Sequence, residues 1–296
     1  MKRLPPFTIA QPTSPGEAAQ LLADAEGSAS LYAGGTELLL AMKEGVLSYD
    51  LLVDVKTISG LDELRLEDGV LHIGAAVTHA QIEHSPLVLG SLPALADVAR
   101  RVANPRVRAC GTLAGNLCFA EPHSDPATLL LCLEARVVVE DQERQRVIGI
   151  DELLVGAYET SLADYEVLTH MLVPLPSPSW RIAYEKFGIH ERPTLGLAVV
   201  LETDDGGETV VSARVAVGCV APAPRRSTPA ERHLTGPISQ IDSRLDDAAE
   251  ALAAEAELIE DAEGSVEYKR QLIRVFLGRA VRSALDRPPQ GSAITS

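Results

Sequence analysis

The spacing of apolar residues changes character along the chain. In the first stretch, Phe7 and Ile9 suit a short strand, and Ala18, Leu21 and Leu22 share one side of a helix. That helix has a start signal: Ser14 can cap, Pro15 suits the first helical position, and Glu17 is the third residue past the cap. Gly27 ends the segment, Leu31 and Tyr32 lead into a glycine pair, Leu38–Met42 reads as helix and Leu51–Val55 as strand. From Leu61 the period falls to two. Leu64 and Leu66, then Val70, Leu71 and Ile73, predict a hairpin turning at Glu67-Asp68-Gly69. Helices are predicted over 78–83 and 92–102, a loop over 104–125, a helix over 127–133 and a strand over 136–139. The run Val173-Pro174-Leu175-Pro176-Ser177-Pro178 interrupts any regular element. Strands follow at 180–188, 196–201 and 211–220, with a turn at Asp204-Asp205-Gly206-Gly207. An acidic helical region covers 241–270, with Ala248, Ala249, Leu252, Ala256 and Ile259 as its apolar stripe, and a last helix covers 267–284.

Composition narrows the function classes. The 296 residues are 46% hydrophobic and 23% charged, as in a soluble globular protein. The formal net charge is −16, which counts against a phosphate-backbone binder. Aromatic residues are 4%, too few for stacking platforms. The four cysteines, 110, 118, 132 and 219, form no CxxC pair, so neither a disulfide scaffold nor a thiolate metal site is expected. No signal peptide is legible at the start, so a cytoplasmic, reducing setting is expected. The seven histidines form neither HxxxH nor HExxH, and no GxSxG elbow occurs.

Two glycine-rich elements remain. Ala33-Gly34-Gly35-Thr36-Glu37 lies between a predicted strand and a helix. Paired glycines there can turn sharply and present successive N–H groups to an anion, or form an ordinary tight turn. The element is neither a P-loop nor a GxGxxG fingerprint. The second element is Gly111-Thr112-Leu113-Ala114-Gly115-Asn116, where the glycines bracket a strand-like piece. Downstream, Asp125 stands at a helix entrance. It can cap that helix or accept a hydrogen bond from a ribose or a base.

The order and separation of AGGTELL (33–39), GTLAGN (111–116) and SDPATLLLCLEA (124–135) resemble the FAD-binding medium subunit of the molybdenum hydroxylases, the family of xanthine dehydrogenase and carbon monoxide dehydrogenase. The resemblance extends to Tyr184-Glu185-Lys186-Phe187-Gly188 and to Tyr268-Lys269-Arg270, so it spans nearly the whole chain. It implies an α+β fold: a two-part α/β FAD-binding domain of the vanillyl-alcohol-oxidase/PCMH type, then a C-terminal domain with a small antiparallel sheet and helices. The expected boundaries are 1–174 for the first domain, in parts of about 1–56 and 57–174, and 175–290 for the second. Residues 291–296 are expected to be a disordered tail.

The resemblance also implies a non-covalent FAD. Ala33, Gly34, Gly35, Thr36, Glu37 and Leu38 would wrap its diphosphate. Gly111, Thr112, Ala114, Gly115 and Asn116 would form the second loop. Ser124 and Asp125 would hold the nucleotide part, and Lys186 would lie near the flavin ring. No residue of the chain is expected to be catalytic in itself, and none to bind a metal. A small partner subunit with two [2Fe–2S] clusters would deliver electrons, a large molybdopterin subunit would hydroxylate substrate, and an external acceptor would take the electrons away. A heterotrimer or its dimer is expected, with no nucleic acid and no membrane insertion. A stand-alone FAD oxidoreductase of the same fold, or an assembly subunit with a degenerate nucleotide site, are the alternatives.

Overall fold

The computed structural model describes residues 3–177, 179–189 and 192–287. The chain opens with β1 (Thr8–Ala10), α1 (Pro15–Asp24), β2 (Ala29–Tyr32), α2 (Leu38–Glu44) and β3 (Leu51–Asp54). The strands pair in parallel in the order β1-β3-β2, so each helix serves as a crossover. Ser14 caps α1 by accepting from the Glu17 N–H, with Pro15 in the first turn, as the sequence predicts.

A second sheet surrounds a helical insertion. Strands β4 (Leu64–Glu67) and β5 (Val70–Gly74) form the predicted hairpin, with Asp68 and Gly69 both at positive φ, 49° and 75°. Six helices follow: α3 (His79–His84), α4 (Pro86–Ser91), α5 (Pro93–Arg101), α6 (Pro105–Cys110), α7 (Leu113–Phe119) and α8 (Asp125–Cys132). Then come β6 (Arg136–Glu140), β7 (Gln145–Gly149), α9 (Ile150–Leu153), the small pair β8 (Leu154–Gly156) and β9 (Glu159–Thr160), and β10 (Val167–Pro174). The sheet order is β4-β5-β10-β6-β7, antiparallel throughout.

Two expectations fail in this insertion. Residues 104–125 are mostly helix rather than loop, and Gly115 sits within α7 rather than at the edge of a strand. The residues that look like loop formers are helix starters. Asn104 accepts from the N–H groups of Arg106 and Val107, Pro105 opens α6, and Thr112 accepts from the Gly115 N–H. Helix α4 was not anticipated; it begins in the same way, with Ser85 as cap and Pro86 in the first turn.

The third sheet is an antiparallel meander of β11 (Trp180–Phe187), β12 (Leu195–Thr203) and β13 (Thr209–Gly218), extended by β14 (Arg225–Arg226). Strand β12 is buried along almost its whole length because both faces are covered. Ile182, Tyr184, Ala198, Val200 and Ala216 join the core of the preceding elements. Ala183, Leu197, Val199, Val215 and Val217 face the other way, against α10 (Thr228–Leu234), α11 (Leu245–Glu255) and α12 (Val266–Asp286). The period-two alternation of these strands thus feeds two separate cores.

The acidic region 241–270 is not one helix. It is a 3-10 turn, then α11, then a break over 256–264 before α12. Glu257 and Gly264 take positive φ there, 52° and 151°. Ala248, Ala249, Leu252 and Ala256 are buried, but Ile259 lies in the break and is exposed. The tail 291–296 lies outside the described residues. Among the described residues no helix is long and apolar enough to cross a membrane.

Candidate functional site

The first glycine element joins β2 to α2, as its position in the sequence predicts. Its start is pinned by Lys56, whose Nζ donates to the Ala33 carbonyl at 2.9 Å and to Asp54 Oδ1 at 2.6 Å. The same ammonium lies 3.8 Å from the centre of the Tyr32 ring. Gly35 has φ +66°, and a Cβ there would collide with that ring. Gly34 has a different constraint. A Cβ would overlap the Cys110 carbonyl oxygen and approach the Gly111 Cα to 2.7 Å. Close backbone approach, not turn geometry, therefore requires glycine at 34. Among the described residues, the N–H groups of Gly34, Gly35, Thr36 and Glu37 are paired with no protein acceptor.

The contact at Gly34 brings the second element against the first. Gly111 separates α6 from α7, and its carbonyl accepts from the His79 N–H at 2.9 Å. A Cβ on Gly111 would lie 3.3 Å from Thr36 Oγ1 and 3.5 Å from His79 Cδ2, so these side chains converge over one glycine. Ala114 is buried within α7 and is not at positive φ, so alanine satisfies its backbone. Asn116 lies one helical turn past the Thr112 cap, and Ser124 Oγ donates to its Oδ1 at 2.5 Å.

Together these elements wall a cleft of about 480 Å³, within the range of small-molecule sites. All of Ala33 to Leu38 line it, with Thr112, Ala114, Gly115 and Asn116 opposite. Apolar wall comes from Leu22, Val55, Val102, Phe119, Leu162 and Leu168. Gly111 lies behind the wall, in contact with its residues. Of the residues singled out in the sequence, ten thus share one cavity.

The remaining candidates sit apart. Asp125 is 4% exposed and does not cap α8; the cap position belongs to Ser124. The Asp125 carboxylate accepts from Tyr184 Oη at 2.8 Å and from Lys186 Nζ at 2.5 Å. Lys186 also donates to the Arg101 carbonyl at 3.0 Å. Burial pushes the Asp125 carboxyl above the usual carboxylate range, against the pull of the Lys186 charge and the Tyr184 hydroxyl. These groups tie β11 to α8 and α5, and neither Asp125 nor Lys186 lines the cleft. Ser124 reaches the cleft only through Asn116.

Other charged and titratable residues join the site's surroundings. Arg192 pairs with Glu121 and lies 3.7 Å from Glu37. Glu121 also meets His123 at 3.0 Å. That hydrogen bond raises the His123 pKa against the effect of burial. Asp261, 3.5 Å from the far side of His123, is paired with Lys269, which is wholly buried. His79 lines the cleft itself, and its only sequence signal is its position after the helix-capping Thr78.

The residues present fit an FAD. Two loops with backbones in contact, N–H groups without a protein acceptor on one of them, and an apolar extension of the cavity match a ligand with a diphosphate and flat ring systems.

Residues 5–176 match the family described as the FAD binding domain in molybdopterin dehydrogenase, and residues 190–284 match the CO dehydrogenase flavoprotein C-terminal domain. The chain is similar to the carbon monoxide dehydrogenase medium chain of Hydrogenophaga pseudoflava, at 33% identity over 95% of this chain and 97% of that one. It is as similar to the nicotine 6-hydroxylase medium subunit of Paenarthrobacter nicotinovorans, at 33% identity over 95% and 98%. The fold superposes on a solved carbon monoxide dehydrogenase from Hydrogenophaga pseudoflava with a TM-score of 0.90, covering 95% of this chain and 98% of that chain at 33% identity. Quinoline 2-oxidoreductase from Pseudomonas putida 86 gives 0.89, covering 96% and 98% at 28% identity.

Proposed function

The chain belongs to the family of FAD-binding medium subunits of the molybdenum hydroxylases, and from that premise we propose that it carries electrons from iron–sulfur clusters of a partner subunit, through FAD, to an external acceptor. It is an oxidoreductase subunit with an FAD-binding domain. The observation that carries the proposal is the meeting of the two glycine elements at Gly34 and Cys110-Gly111 along one wall of the cleft. A diphosphate seated there finds N–H donors where any side chain on Gly34 would force the loops apart. Bound FAD supplies the redox chemistry, exchanging two electrons with partners that exchange one at a time.

The chain's own residues bind and orient. Ala33, Gly34, Gly35, Thr36, Glu37 and Leu38 surround the diphosphate, with Gly111, Thr112, Ala114, Gly115 and Asn116 across from them. Ser124 fixes the Asn116 amide. Asp125 and Lys186 act one layer out, by locking the third sheet onto the helices behind the second loop. The division of the chain is placed at the Pro174 exit from β10, with 1–174 binding FAD and 175–290 packing over it. The two matched ranges support this division. The FAD is held non-covalently in a cytoplasmic assembly with a large molybdopterin subunit and a small [2Fe–2S] subunit. The names of the relatives, which are medium chains or subunits, support such an assembly.

Co-expression with the two candidate partners tests the assembly. The expected result is co-purification of all three chains, with FAD on this one and iron on the small one. A chain that stays alone while its partners pair, or that itself carries stoichiometric iron, would contradict it.

A further inference from the structure

His79 is the first residue of α3 and lies against the wall where the two glycine elements meet. Its side chain is almost fully buried, at 2% exposure, and its Nδ1 has no hydrogen-bond partner among the described residues. Buried imidazole nitrogens are ordinarily paired, so a native structure with an unpaired one calls for a partner from outside the chain. The neighbouring groups offer none. The Gly111 carbonyl accepts from the backbone N–H of His79, not from its ring. Arg108, whose charge acts on the ring, is held by Glu83 at 2.9 Å and by the Val102 carbonyl at 3.2 Å. Thr36 Oγ1 and the Cδ2 edge of the His79 ring, next to Nε2, approach the same point over Gly111.

We propose that His79 is a ligand-binding side chain of this cleft, donating a hydrogen bond from its imidazole to the diphosphate of FAD beside Thr36. The inference rests on the FAD reading given above. Burial, and then the charge of Arg108, push the His79 pKa down to about 4. The ring is therefore neutral near pH 7 and carries one N–H donor. A neutral donor suits this place, because the glycine N–H groups already present partial positive charge to the anion.

The full-length chain with 15N-labelled histidine, titrated with FAD, tests this directly. The His79 Nδ1 resonance should move by several ppm on FAD addition, and one of the two 31P resonances of bound FAD should shift between wild type and His79→Phe. His79→Phe should weaken FAD binding about tenfold, which is about 1.4 kcal/mol, without lowering the thermal midpoint of the FAD-free chain. Should His79→Phe fail to fold, His79→Gln and the wild-type 15N titration give the same readings. A His79 resonance indifferent to FAD, or superimposable 31P spectra with equal affinity, would overturn the assignment. Wild-type chain that binds no FAD would overturn the functional reading as well, which separates the two failures.

Discussion

A methyl group at Gly34 discriminates between a turn and a binding loop. It would collide with the Cys110 carbonyl, a backbone atom that cannot step aside without moving the second loop. Gly34→Ala should therefore lower the unfolding free energy of the FAD-free chain by about 1–3 kcal/mol and weaken FAD binding by more than that. If both losses were equal, the loop would be structural only. His79 gives a pH signature. Its pKa falls from 6.5 to about 4 on folding, so the unfolded chain binds the extra proton between those values. Stability of the FAD-free chain from this group is complete above pH 6.5 and is lost as pH falls toward 4, by about 3 kcal/mol at most. As pH falls from 7.5 to 4.5 the urea midpoint of the wild type should drop further than that of His79→Gln, whose side chain does not titrate. A constant difference would contradict the buried neutral imidazole. Residues such as Ser14 and Gly69 were legible in the sequence because their partners are three residues away or less. Asp125 was not: its partners Tyr184 and Lys186 lie about sixty residues further on, and an Asp-Pro at a helix start looks locally like a cap.

The elements that carry the site depend on their first turns. Helices α6 and α7 are short, six and seven residues, and each is marginal without a cap. Thr112→Val removes the hydroxyl that accepts from the Gly115 N–H. It should cost about 1 kcal/mol of stability and weaken FAD binding, because Gly115 and Asn116 lose their fixed orientation. Thr112→Ser should restore most of both; failure of serine to rescue would place the effect in packing instead. These helices were hidden in the sequence because Asn, Pro, Gly and Thr mark loops and helix starts equally, and six residues give no readable period. The longer strands β11 to β13 and the helix α12 were legible because alternation or helical spacing runs far enough to be seen. The break in 256–264 was not, since Glu257 is an ordinary helix former that here takes a left-handed φ just past the end of α11.

At the scale of the whole molecule, the third sheet is shared between two cores and is fastened to the helices behind the cleft by the Asp125–Lys186–Tyr184 group. Lys186→Met leaves a buried carboxylate without its cation and should cost about 3 kcal/mol, while the double variant with Asp125→Asn should recover part of that loss. Additive losses in the two variants would show that the pair is not coupled. The order of layers was legible from the period changes along the chain, whereas the cleft depends on contacts between residues 34 and 110 that no local pattern encodes. The central claim is that these loops form one dinucleotide site, and equilibrium binding of FAD and FMN to the purified full-length chain tests it most directly. The account predicts one FAD per chain, released intact by acid, with FMN bound at least tenfold more weakly. Equal affinity for FAD and FMN, or no flavin binding at all, would contradict it.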